Sequence, residues 1–179
     1  MKIIETGAGL IILLMIFGSA IASEPHEYRI ADRSPEQKHR YISLACNNGN
    51  VRFSIQWGTR IGEAGKYKRH LVLPGNLGDT HILLRVLKNR TSTGIIDNDQ
   101  QAKALIKLIL KNIGTEGMFI EVFPEGRDPL NGEWEDSVFD YNEFLNGVKA
   151  VAKECKWDIQ KSITTKVRTV HPGAPYDNE

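Results

Sequence analysis

Two cysteines, five histidines and one dense run of carboxylates are the residues of this chain with which chemistry could be done. Nucleophilic hydrolysis needs a Ser, Cys or Thr activated by a neighbouring base. No G-x-S-x-G elbow occurs, and the histidines His26, His39, His70, His81 and His171 form no i,i+4 pair. His70 and His81 fall on successive strand-like runs, where they could approach each other as an acid–base pair. Carboxylates gather at Glu125, Asp128, Glu133, Glu135 and Asp136. Such a group can move protons or hold a hard cation. Its spacing lacks the alternating Asp order of a calcium loop, so a solvated turn flanking Trp134 is the plainer reading. The two cysteines have no histidines at ligand spacing, which leaves no metal set. No cofactor is expected. Glycines 58, 62 and 65 precede no helix, so they do not form a phosphate cradle. The formal charge is +1, and the small basic group Arg52, Lys66, Lys68 and Arg69 lacks an aromatic platform, which argues against nucleic acid as a partner.

The first cysteine sits in a hairpin. Asn48-Gly49 is a strong two-residue turn signal, because both residues tolerate positive φ. That turn sets Asn47 opposite Asn50, Cys46 opposite Val51, Leu44 opposite Phe53, Ile42 opposite Ile55 and Arg40 opposite Trp57. Opposed residues share a face. The apolar set Ile42, Leu44, Cys46, Val51, Phe53, Ile55 and Trp57 therefore lies on one side, and Tyr41, Ser43, Ala45, Arg52, Ser54 and Gln56 on the other. A one-residue slip would expose the apolar set, so this register predicts that Cys46 points into a core.

The second cysteine ends a helix. Asp140, with Glu143 three residues on, opens a capping-box-like start. Phe144, Leu145, Val148, Val151, Ala152 and Cys155 then keep helical spacing on one face. Cys155 also points inward. The first residues bear on whether the two cysteines are joined. Met1 and Lys2 precede the uncharged run Gly7 to Ala22, and Ala20-Ile21-Ala22 offers a cleavage site. This pattern predicts a secretory signal peptide over residues 1–22, with an uncleaved anchor as the alternative. Export favours a Cys46–Cys155 bridge over two buried thiols acting as small apolar residues.

The remaining elements follow from punctuation and period. Residues 23–39 read as an exposed leader. Strands are expected at Tyr67 to Leu73, His81 to Leu87, Met118 to Phe123 and within Trp134 to Phe139, with loops at Thr59 to Lys66 and Asn89 to Gly94. Asp97 or Asp99 is expected to cap a helix from about Gln100 to Asn112, with the stripe Ala102, Leu105, Ile106, Ile109 and Leu110. Residues 158–179 read as a flexible tail. The sum is a single α+β domain over residues 40–157. It is a mostly antiparallel twisted sheet, or a small sandwich, with two covering helices and one disulfide.

Three features in order carry a resemblance: Ile55-Gln56-Trp57-Gly58 soon after Cys46, Phe139-Asp140 opening the last helix, and the ending Cys155-Lys156-Trp157. The layout resembles the exported VasI/TagO-like proteins associated with bacterial type VI secretion, over roughly Tyr41 to Trp157. The Trp-Ser-Leu-Ser/Thr-x-Asp segment of that pattern is absent. The resemblance implies an envelope accessory protein with no enzymatic role and a Cys–Cys bridge. The expected function is therefore a non-enzymatic periplasmic or secreted binding protein. Its partner would be another envelope or secreted protein, with no membrane association after signal cleavage. The alternative is an inhibitor or immunity protein of a cell-wall hydrolase or toxin. In either case the loop bearing Glu125, Arg127, Asp128, Glu133, Trp134 and Glu135 would contact the partner.

Overall fold

The computed structural model describes residues 26–37, 39–65, 67–73, 80–112, 118–122, 135–166 and 169–170. The expected signal segment 1–22, His171 and the loop residues Glu125, Arg127, Asp128, Glu133 and Trp134 lie outside them.

The hairpin forms in the register set by its turn. Strands β2 (Tyr41–Asn47) and β3 (Asn50–Gln56) pair with Asn47 opposite Asn50 and Cys46, Leu44 and Ile42 opposite Val51, Phe53 and Ile55. Asn48 and Gly49 both take positive φ, 51° and 78°. Ile42, Leu44, Val51, Phe53, Ile55 and Trp57 are all buried. Around this pair the chain adds β1 (Glu27–Ala31), β4 (Tyr67–Leu73), β5 (Thr80–Leu87), β6 (Arg90–Ile96), β7 (Met118–Val122), β8 (Glu135–Phe139) and β9 (Thr169–Val170). The spatial order is β1-β2-β3-β6-β5-β4-β7-β8, antiparallel throughout. The pair Val72–Glu121 joins β7 and β8 to the larger block. The far edges then meet, because Asp32 bridges Phe139 and the Arg33 N–H donates to the Val138 carbonyl at 2.8 Å. The sheet thus curls until its first and last strands touch, around a core that includes Ile82, Leu84, Met118, Ile120 and Phe139.

Two helices cover the apolar face, as the expected α+β class requires. Helix α1 (Asp99–Asn112) packs on β3 and β6, and α2 (Tyr141–Glu154) packs on β2 and β1. Most of the predicted stripes are buried, Ala102, Leu105, Ile106 and Ile109 on α1 and Phe144, Val148, Val151 and Ala152 on α2, while Leu110 and Leu145 at their margins are half-buried. The cap of α1 differs from expectation. Asn98 fills it, its Oδ1 accepting from the Gln101 N–H at 3.0 Å. Asp99 is used elsewhere. The Val51 N–H points away from β2, and β6 pairs with β3 only from Phe53 onward. The Asp99 carboxylate stands in for the missing strand, accepting that N–H at 2.8 Å and pairing with Lys103. A buried N–H left unpaired would be costly.

Three sequence expectations are corrected. Residues 27–31 are not an exposed leader: they form edge strand β1, with Ile30 buried opposite Ile42. Tyr28 and Ile30 make a single apolar alternation, too short a period to read as a strand, and pairing to β2 decides it. Residues 90–96 are a strand rather than a loop after Asn89, because Lys88-Asn89 is itself a two-residue turn. Gly94 lies inside β6 for a packing reason: a Cβ there would meet Leu84 Cδ1 at 2.8 Å. The described part of the segment read as a tail is anchored, while residues 171–179 lie outside the described residues. Trp157 and Ile159 pack against the core, Lys107 Nζ bonds the Lys161 carbonyl, and β9 pairs with β5 opposite His81 and Ile82.

Candidate functional site

Cys46 and Cys155 are joined, with Cα atoms 5.5 Å apart across 109 residues of sequence. The bridge runs from the end of β2, beside the hairpin turn, to the residue that caps α2, and the local sequence explains its placement. Cys155 is the C-cap, its N–H bonding the Val151 carbonyl at 2.8 Å. Lys156 takes the left-handed conformation, φ 51°, and the Trp157 N–H returns to the Ala152 carbonyl at 2.8 Å. This is the Schellman arrangement with a lysine where glycine is usual. Each residue of Cys155-Lys156-Trp157 therefore has its own part. The cysteine ties the helix to β2, the lysine turns the chain, and the tryptophan packs toward α1, where Lys103 Nζ lies 5.9 Å from its ring.

The other end of α2 is fixed by Asp140. Its Oδ1 accepts from the Glu143 N–H at 2.9 Å, and its Oδ2 pairs with Arg33 at 2.6 Å. The Arg33 guanidinium, with the Glu143 N–H second, holds the Asp140 carboxyl below the ordinary carboxylate range. A group depressed on folding stabilises above its unfolded pKa, and that contribution is lost as pH falls through the folded value. Asparagine keeps the cap but not the charge. Wild-type protein is therefore expected to lose more thermal stability than Asp140→Asn as pH is lowered through and below the usual Asp range. Equal slopes in parallel melts would contradict this.

With both ends held, α2 defines a groove along β1. The groove encloses about 340 Å³ and is lined by Tyr28, Arg29, Ile30, Glu143, Asn146 and Gly147. Gly147 keeps its floor open, since the nearest atom to a Cβ there would be Leu44 Cδ1 at 3.4 Å. The edge beside it carries backbone groups for pairing. In β2 the two-residue turn makes Asn47, Ala45, Ser43 and Tyr41 the residues bonded to β3, so Leu44 and Ile42 bond to β1. Tyr28 and Ile30, opposite those two, spend their backbone groups inward. Glu27, Arg29 and Ala31 direct theirs outward; β8 reaches this edge just past Ala31, where Phe139 bridges Asp32, and among the described residues no strand lies beyond Glu27 and Arg29. The helix side is acidic, with Glu143 exposed and Glu154 accepting from the Tyr28 hydroxyl at 3.1 Å. Burial first, then the Glu154 carboxylate, raises the Tyr28 phenol pKa and keeps it a donor.

Of the residues expected to contact a partner through the 125–135 loop, only Glu135 is described, and it faces inward. Its Oε2 pairs with Arg40 Nη2 and accepts from the Trp57 indole N–H at 2.9 Å. Arg40 Nη1 donates to the Asp136 carbonyl at 3.0 Å and to Ser137 Oγ at 3.3 Å, and its guanidinium lies 4.4 Å from the Trp57 ring centre. Arg40 is itself buried. Glu135 is thus the carboxylate of a lock between β8 and the start of the hairpin. His70 and His81 lie on the adjacent strands β4 and β5, but Val72 is the residue opposite His81, and a bulge falls between Arg69 and Leu71. His26 and His39 are exposed. Among the described residues no group of three His, Cys, Asp or Glu gathers for a metal ion, and no helix is long and apolar enough to cross a membrane.

Fold and site together define a disulfide-linked α+β domain with an open strand edge beside a clamped helix. No family model, curated protein or solved structure matches the chain.

Proposed function

We propose that this chain is an exported, non-enzymatic accessory protein that binds another envelope or secreted protein, and that it does so by accepting an extended segment of that partner alongside β1. The observation that carries the reading is the groove between β1 and α2, whose helical wall is tied to the sheet by the disulfide. Main-chain bonds to a sheet edge supply affinity in strand addition, and pockets for alternate side chains supply selectivity. A groove whose walls are already fixed loses little entropy when filled. Acidic Glu143 and Glu154 on the helical side favour a partner strand that carries Lys or Arg toward α2. The leader-like residues 1–22, and the resemblance to VasI/TagO-like envelope proteins of type VI secretion, support the same reading. Both agree with a disulfide formed outside the cytosol.

The test is residue-specific. Proline at Arg29 removes one outward N–H and leaves the Tyr28 and Ile30 bonds to β2 in place. An envelope protein captured by the oxidised domain is expected to protect the Glu27, Arg29 and Ala31 amides from hydrogen exchange, and to be lost from Arg29→Pro at unchanged melting temperature. Capture that survives Arg29→Pro, or that leaves those three amides exchanging freely, would refute strand addition.

A further inference from the structure

The opposite face of the same strands holds a second concavity. Ser43 and Ser54 face each other across β2 and β3, with Ala45 one step along, and these short side chains make the floor of a trough of about 260 Å³. Leu87 and Ile95 form an apolar wall, and Glu27, Asn47, Arg52 and Asp97 stand at the rim. Polar floor, apolar wall and charged rim together are the usual composition of a small-molecule site. The volume falls below the ~300–1,000 Å³ of drug-sized pockets.

The charges decide what would enter. Both rim carboxylates are already satisfied. Glu27 pairs with Arg29 at 2.6 Å and accepts from the Ser43 hydroxyl, while Asp97 pairs with Arg85. Arg52 is exposed and makes no ion pair or side-chain hydrogen bond among the described residues. The Arg90 charge also reaches this region. Burial alone would push the Glu27 carboxyl up. The Ser43 hydroxyl, Arg29 and Arg90 together outweigh burial and hold it below its ordinary value. Each lining carboxylate is thus neutralised by an arginine beside it, and the charge left over in the lining is the Arg52 guanidinium. An ammonium group would find no free acid. A carboxylate would find Arg52, and hydroxyls would find the Ser54 Oγ, the Asn47 amide and the remaining lone pairs of Ser43 Oγ.

We propose that this trough binds a small carboxylate bearing several hydroxyls, of the size of a sugar acid, with its carboxylate on Arg52 and its hydroxyls on the Ser43–Ser54 floor. The trough shares Glu27 and its partner Arg29 with the β1 edge, so the variants that test it are placed at Arg52 and Ser54, away from that edge. The oxidised protein is titrated with glucuronate, glucose and acetate in separate arms, with backbone amide NMR shifts as the readout. Glucuronate is expected to move the Ser43, Arg52 and Ser54 amides saturably. Arg52→Gln is expected to weaken it roughly 10- to 100-fold, the span of one charge-assisted hydrogen bond. Ser54→Val, which fills the floor while leaving Arg52, is expected to weaken it as well. Equal shifts with glucose would remove the carboxylate from the account. Equal shifts with acetate would make this a site for adventitious anions only. Unchanged affinity in Arg52→Gln, or no saturable shift at all, would overturn the proposal.

Discussion

Alanine at Cys46 and alanine at Cys155 are each expected to lower the unfolding free energy by up to about 4–5 kcal/mol, the chain-entropy value for closing a loop of this length. The double replacement is expected to cost little more than either single one. The two thiols act as one bond, so the first substitution removes nearly all that the pair contributes. Each cysteine also packs against the core, and the second loses only that small apolar contact. The effect should be local as well as global. Cys155 ends α2, and without the bridge the last turn keeps only non-covalent ties: the burial of Val151 and Ala152, the Tyr28–Glu154 bond and the Trp157 return bond. Exchange of the Val151 and Cys155 amides is therefore expected to quicken more than that of the β2–β3 hairpin. Denaturant melts of the three variants check the energies. Additive losses would mean that the residues act separately.

Arg40→Met is expected to cost about 3 kcal/mol, within the range for removing one partner of a buried ion pair. Arg40 and Glu135 keep only 8% and 24% of their side-chain surface. Removing the guanidinium strands the Glu135 carboxylate with one neutral donor, the Trp57 indole N–H. It also takes the cation from the Trp57 face and the donor from the Asp136 carbonyl. The double variant Arg40→Met, Glu135→Gln is expected to recover part of the loss, because no charge is then left without its partner. Arg40 Nε already lies buried without a hydrogen-bond partner, so the wild-type cluster carries a cost of its own that methionine removes. A double-mutant cycle in urea measures the coupling. A coupling near zero would mean that the carboxylate is solvated and the lock is not one.

Local signals made much of this fold legible. Asn48-Gly49 and the alternation around it fixed a register that every later element respects, because only one pairing buries the apolar face. The helix stripes of α1 and α2 were readable for the same reason at a different period. What the chain hides is pairing at a distance. Strand β1 shows only Tyr28 and Ile30 inward, and becomes a strand only when β2 offers Leu44 and Ile42 as their neighbours. Gly94 looks like a loop end until Leu84 is seen to need its space. Glu135 belongs by composition to an acidic surface loop. Its partners Arg40 and Trp57 lie 95 and 78 residues earlier, too far for any local pattern to connect. The groove beside β1 could not be foreseen at all, since it exists only where an unrecognised strand meets a correctly read helix.

The whole account rests on α2 being tied covalently to the sheet. Peptide mapping of the non-reduced protein by mass spectrometry tests it most directly. One linked pair of peptides, containing Cys46 and Cys155 and separating on reduction, is the expected result. Two alkylatable thiols in the native protein would leave the helical wall of the groove without its tether and would contradict the account at its base.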